Sequence, residues 1–155
     1  MSTTTLREFL QEKARQVRPE DRDKRRKEWI ESVRRLMAQF SEWLKEADTS
    51  GVLEILSSQV EYLEEGLGLY RVPKLRVVLG DSEVEILPVA RNVGGPNSPA
   101  LPSGGRVDIT DGARKYILHR VVSNGEDQWN VLTVNRDYMV LDRNRFEAIM
   151  QELLS

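Results

Sequence analysis

Between Trp29 and Ala47 the apolar residues keep a helical beat, and this stripe limits the chain more than any other feature. Ile30, Val33, Met37, Phe40, Leu44 and Ala47 are spaced 3, 4, 3, 4 and 3 apart, the seam of a heptad. Trp29, Leu36 and Trp43 recur every seven residues beside it and widen the stripe to three positions in seven. A two-stranded coiled coil wants a two-in-seven seam, whereas a helix docking on a sheet or bundle wants the broader one. Upstream the equivalent positions hold Asp23 and Arg26, so the seam does not extend into a long zipper. The spacing therefore predicts a helix over residues 19–47 that docks on this chain's own sheet, with its charged first half projecting. The competing reading makes Trp29, Leu36, Phe40 and Trp43 an interface, as in a homodimer.

The remainder reads as α+β. Thr5-Leu6-Arg7-Glu8 fits a capping box, and Leu6, Phe9, Leu10 and Val17 follow helical spacing, predicting a short helix over 6–17. Pro19 ends it and suits the first turn of the next. After residues 48–51 the helix stops, and residues 52–58 fit a helical turn or a strand equally well. Residues 59–64, 75–79 and 83–89 alternate as strands, separated by Gly66-Leu67-Gly68, Pro73 and Gly80-Asp81. A Gly- and Pro-rich loop spans 91–104.

Two hairpin signals follow. Asp111-Gly112 and Asn124-Gly125 suit the centres of two-residue turns, where positive φ is needed. The first predicts that Val107 faces Tyr116 and Asp108 faces Lys115. The second predicts Leu118 opposite Val131, Ile117 opposite Leu132 and Arg120 opposite Trp129. One sheet face then carries Val107, Ile109, Tyr116, Leu118, Trp129 and Val131. The other carries Ile117, Val121, Leu132 and Val134 together with Asp108, Lys115 and His119, so both faces need cover. A strand at 138–141, an N-cap at Asp142 and a helix bearing Phe146, Ile149, Met150, Leu153 and Leu154 complete the order. The expectation is one domain over 1–155: a helical arm (1–48), a β-rich body (52–141) forming an antiparallel meander of about six strands, and a closing helix (142–155).

Composition excludes several functions. The 155 residues contain no cysteine, which rules out disulfides, thiolate metal sites and cysteine nucleophiles and favours a reducing, cytoplasmic setting. No apolar run approaches the length of a membrane span, and the first residues lack the features of a signal peptide. The net charge of −2 conceals a basic first 35 residues and an acidic remainder.

Each candidate site has a plainer alternative. Arg22, Lys24, Arg25, Arg26 and Lys27 can grip nucleic-acid phosphates or an acidic partner. Against this, Glu20–Lys24, Asp21–Arg25, Asp23–Lys27 and Glu31–Arg35 are acid-then-base pairs at i,i+4, the pattern of a solvated helix face. His119, the only histidine, cannot assemble a catalytic zinc site alone and reads as a packed or hydrogen-bonded strand residue. Asp81, Glu83 and Glu85 alternate, as a cation site or the solvent side of a strand would. Pro96, Pro99 and Pro102 recur every third residue, so with Leu101 they suit a polyproline II edge for partner docking; a stiffened connecting loop is the plainer account. No cofactor motif is present. These readings favour a non-enzymatic protein–protein interaction or adaptor module in a soluble cytoplasmic assembly, with a protein partner or self-association. The second reading is a nucleic-acid-binding accessory protein that uses the basic helix.

Overall fold

A computed structural model describes residues 4–16, 19–92, 104–133 and 135–155. Helices α1 (Leu6–Gln16) and α2 (Pro19–Ala47) precede seven strands, and α3 (Arg143–Leu153) closes the order. The strands are β1 (Glu54–Glu64), β2 (Gly68–Leu79), β3 (Ser82–Ala90), β4 (Arg106–Thr110), β5 (Lys115–Ser123), β6 (Glu126–Leu132) and β7 (Tyr138–Val140). They form one antiparallel sheet in chain order. The class is the expected α+β, with seven strands in place of about six. The proline-rich candidates Pro96, Pro99, Leu101 and Pro102 lie outside the described residues, as do Val17 and Val134.

The α2 stripe is buried on this chain's own sheet. Trp29, Val33 and Phe40 have no exposed surface, Leu36, Met37 and Leu44 are buried, and Ile30 and Trp43 are partly covered. Phe40 stacks on Phe146 of α3 at 4.2 Å between ring centroids, with Trp43 tilted against both. Asp142 caps α3 by accepting from the Arg145 N–H at 2.7 Å, and Phe146, Ile149, Met150 and Leu153 are its buried face. In α1 the Glu8 N–H donates to Thr5 Oγ1 as a capping residue requires, yet Leu6 and Leu10 are more than half exposed.

The region 52–58 is strand from Glu54 onward. Its local pattern is neutral, and pairing decides: β1 and β2 run in unbroken register from Glu54–Val78 to Glu64–Gly68. Pro73 does not separate two strands, as its sequence suggested. It lies inside β2 opposite Gln59. The ladder between β2 and β3 stops at Leu75–Ile86. Extended two steps, that register would oppose Pro73 to Pro88, neither of which has an N–H to offer. Beyond this point β1 and β2 continue as a two-stranded ribbon, which twists more freely than a wide sheet. Its buried side changes accordingly, from Leu75 and Val77 to Tyr70 and Val72, residues of opposite parity. The Tyr62 hydroxyl donates to the Pro88 carbonyl where β3 has left the ribbon.

The second hairpin has the expected register, with Leu118 facing Val131 and Arg120 facing Trp129, and Asn124 and Gly125 both at positive φ. The first is slipped by two residues: Val107 faces Leu118 and Asp108 faces Ile117. The Asp111 carboxylate explains the slip. It accepts from the Ala113 and Arg114 N–H groups at 2.9 and 2.6 Å, widening the connection to residues 111–114. Those two backbone bonds, Arg114 foremost, hold its pKa at about 2. A slip of two preserves parity, so Val107, Ile109 and Leu118 still share the helix-covered face with Trp129 and Val131.

At Gly105 the backbone approaches the core so closely that a Cβ would lie 2.1 Å from the Trp29 ring, at a φ of +142°. Gly112 also has positive φ, but a Cβ there would meet nothing within 4 Å. Gly105→Ala should therefore cost about 3 kcal/mol and Gly112→Ala about 1 kcal/mol, measured by urea denaturation. Equal losses would show that the indole yields and that Trp29 is not tightly packed.

Candidate functional site

The first turns of α2 meet the end of the β1–β2 ribbon, and this junction gathers arginines from separate parts of the chain. Arg22, Arg25 and Arg26 share one helix face by their i,i+3 and i,i+4 spacing. Arg26 Nη1 donates to the Leu67 carbonyl at 3.0 Å, and Arg25 Nη2 approaches the Gly66 carbonyl at 3.5 Å. The charged first half of α2 is thus tied to the sheet and does not project, contrary to the expectation from its sequence. The turn suits this contact because Gly66 and Gly68 supply positive φ, and a Cβ at Gly68 would already touch Arg26. Asp23 pairs with Arg26 at 2.7 Å, and Glu31 lies 3.9 Å from Arg35. Lys24 and Lys27 are exposed.

A hydrogen-bond chain runs from the core to this corner. Trp29 Nε1 donates to the Tyr70 hydroxyl at 3.3 Å, and Tyr70 donates to Glu64 at 2.7 Å. Glu64 also accepts from the backbone N–H groups of Arg91 and Asn92, at 3.1 and 2.6 Å. Burial and then the bond to Glu64 push the Tyr70 phenol well above its ordinary pKa, so it remains a donor. Asn92 Nδ2 donates to the Glu65 carbonyl, which fixes Arg91 beside the ribbon turn. Burial, then the charges of Arg25 and Arg120, lower the Arg91 pKa. The Nε atoms of Arg22 and Arg91 are buried and have no acceptor among the described residues. A buried guanidinium donor without an acceptor is costly.

A neighbouring clasp holds the helix in place. Asp127 on β6 accepts from Ser32 at 2.6 Å and Arg35 at 2.8 Å, both on α2, and from Arg120 Nε on β5 at 2.8 Å. Burial alone would raise its pKa, but the bonds from Ser32 and Arg35 and the charge of Arg120 outweigh this and lower it.

The other candidates are distributed elsewhere. Leu36 and Trp43 line a groove between α2 and β6–β7, while Trp29 and Phe40 are fully enclosed. His119 is buried, its ring set edgewise 5.6 Å from Tyr138, and burial, then the Arg106 charge, lowers its pKa. Asp108 is engaged by Arg106 at 2.8 Å and lies 3.7 Å from Lys115. Asp81 sits in the turn before β3, whereas Glu83 pairs with Arg76 and Glu85 with Lys74. Among the described residues, no group of three or more His, Asp or Glu side chains converges as a metal-ligand set. Sequence reasoning found the α2 half of the arginine corner and missed Arg91, Glu64, Tyr70 and Arg120, which no spacing in the chain connects to Arg22.

No protein-family model matches the chain, and neither a curated protein nor a solved structure shows significant similarity to it.

Asp127→Asn should destabilise the protein by about 3 kcal/mol at pH 7, because it leaves Arg120 and Arg35 without their carboxylate. Since the folded-state pKa is depressed, this stabilisation is complete above the unfolded value of about 3.9 and is lost as pH falls through the folded value. Thermal melts from pH 7 to pH 2 should show the wild-type and variant curves converging below about pH 4. A gap that stays constant would mean that Asp127 is not held by charge.

Proposed function

We propose that this chain is a non-enzymatic protein-interaction module that docks an acidic segment of a partner protein on the arginine corner formed by Arg22, Arg25 and Arg91. The observation that carries the reading is that the Nε atoms of Arg22 and Arg91 are buried with no acceptor among the described residues. A carboxylate supplies the missing acceptors, and a guanidinium binds it through paired, directional bonds. The recessed position of these donors favours discrete anionic groups over a continuous phosphate backbone. Nucleic-acid recognition usually relies on a broad basic surface with aromatic groups for stacking, whereas Asp23, Glu28 and Glu64 interrupt this one. Leu63 and Leu69, paired across the ribbon next to the turn, are 81% and 59% exposed. They supply apolar contact area at the same end of the molecule.

Fluorescence anisotropy with a labelled octaglutamate peptide at 50 and 200 mM salt tests the reading. The double substitution Arg22→Gln/Arg91→Gln should weaken binding about tenfold or more, the equivalent of one lost charge-assisted bond. Lys24→Gln/Lys27→Gln, at the exposed lysines of the same helix, should change it less than about threefold, as expected of surface charge. Equal losses in the two double variants would reduce the corner to diffuse attraction. A single-stranded oligonucleotide that bound more tightly than the peptide would move the reading to nucleic acid.

A further inference from the structure

Along α3, from Arg145 in its first turn to Glu152 near its end, an open groove of about 530 Å³ lies between the helix and the ends of β5 and β6. Residues 145, 149 and 152 of α3 fall at i, i+4 and i+7, so one flank of the helix faces the strands. The floor is apolar, built chiefly from Tyr116, Leu132 and Ile149, and the rim carries Arg114, Lys115 and Arg145. The volume lies within the range of about 300–1,000 Å³ typical of small-molecule sites.

The one carboxylate in the lining, Glu152, is already engaged. The Tyr116 hydroxyl donates to it, and Arg114 lies 3.7 Å from it while donating to the Glu152 backbone carbonyl at 2.9 Å. Arg145 is steadied by a 2.7 Å bond from Nη1 to the Val140 carbonyl, which leaves its remaining donors for another acceptor. Lys115 is half-exposed and lies 3.7 Å from Asp108. Arg114 is also held by Asp111 at 3.0 Å, so Arg145 and the half-exposed Lys115 are the rim cations left to an incoming anion, and with the apolar floor they complement a molecule with one anionic end and an apolar body. From this geometry we infer that the groove binds a small monocarboxylate with an aliphatic or aromatic body, its carboxylate held at Arg145 and Lys115 and its body laid over Leu132 and Ile149. This site is separate from the arginine corner and does not depend on it.

Isothermal titration calorimetry on the full chain with decanoate, decanol and decyltrimethylammonium tests the inference, because the three probes share a body and differ in charge. Decanoate should bind at one site, about tenfold or more tighter than decanol, with decyltrimethylammonium weakest. Arg145→Gln/Lys115→Gln should erase the preference for decanoate over decanol, and Leu132→Asn should weaken both. Arg22→Gln/Arg91→Gln should leave decanoate binding unchanged. Circular dichroism melts confirm that each variant is folded. If Leu132→Asn does not fold, the loss of charge preference in the Arg145/Lys115 variant decides the matter. Equal binding of the three probes, or decanoate binding insensitive to the Arg145/Lys115 substitutions, would overturn the assignment.

Discussion

The burial of one indole organises this molecule. Trp29 has no exposed surface, lies 6.2 Å from Trp129 between ring centroids, and donates to Tyr70 on β2. That position requires a glycine at 105, a hydroxyl at 70 and a helix whose axis is fixed at both ends. The clasp at Asp127 and the Phe40–Phe146 stack provide the fixing. Removing the apolar stripe from water supplies the drive, at about 25 cal/mol per Å²; the polar contacts select the orientation. The arginine corner is a by-product of the same geometry. Once Trp29 is seated, Arg22, Arg25 and Arg26, which precede it by one to two turns, must meet the ribbon turn.

What could be read in the chain alone depended on whether the deciding interaction was local. The α2 stripe was legible because a helix imposes its own period, and Asn124-Gly125 set a register because the turn needs only those two residues. The Asp111-Gly112 turn misled, since a carboxylate that accepts from Ala113 and Arg114 outcompetes the two-residue alternative without altering the local pattern. Residues 52–58 were undecidable because their state is chosen by β2. Pro73 looked like a strand break because its tolerance depends on where β3 ends. The corner's other half was invisible: Arg91 is brought to Glu64 by a backbone N–H bond across 27 residues, which no local pattern signals.

The two faces of the sheet divide the chemistry. One is mostly apolar and covered by α2 and α3, with the Arg120–Asp127 pair as its charged part. The other carries buried Asp108 and His119 within a network that includes Arg106, Lys115 and Tyr138. Charged groups buried on a strand face lose solvation, and pairing restores part of that cost.

Every strand in this sheet pairs with its immediate neighbour in the chain. Such an arrangement can zip up hairpin by hairpin, each step closing a short loop except between β3 and β4, where residues 91–105 intervene. Helix α2 does not follow this rule, since its Ser32 must find Asp127 and its Glu46 must find Arg143. The slow, entropically demanding event in reaching the native state is therefore the capture of a helix made early in the sequence by a sheet completed late in it. During synthesis α2 emerges long before its seat exists, and the cost of that wait is an apolar stripe that needs shielding until β6 and α3 arrive.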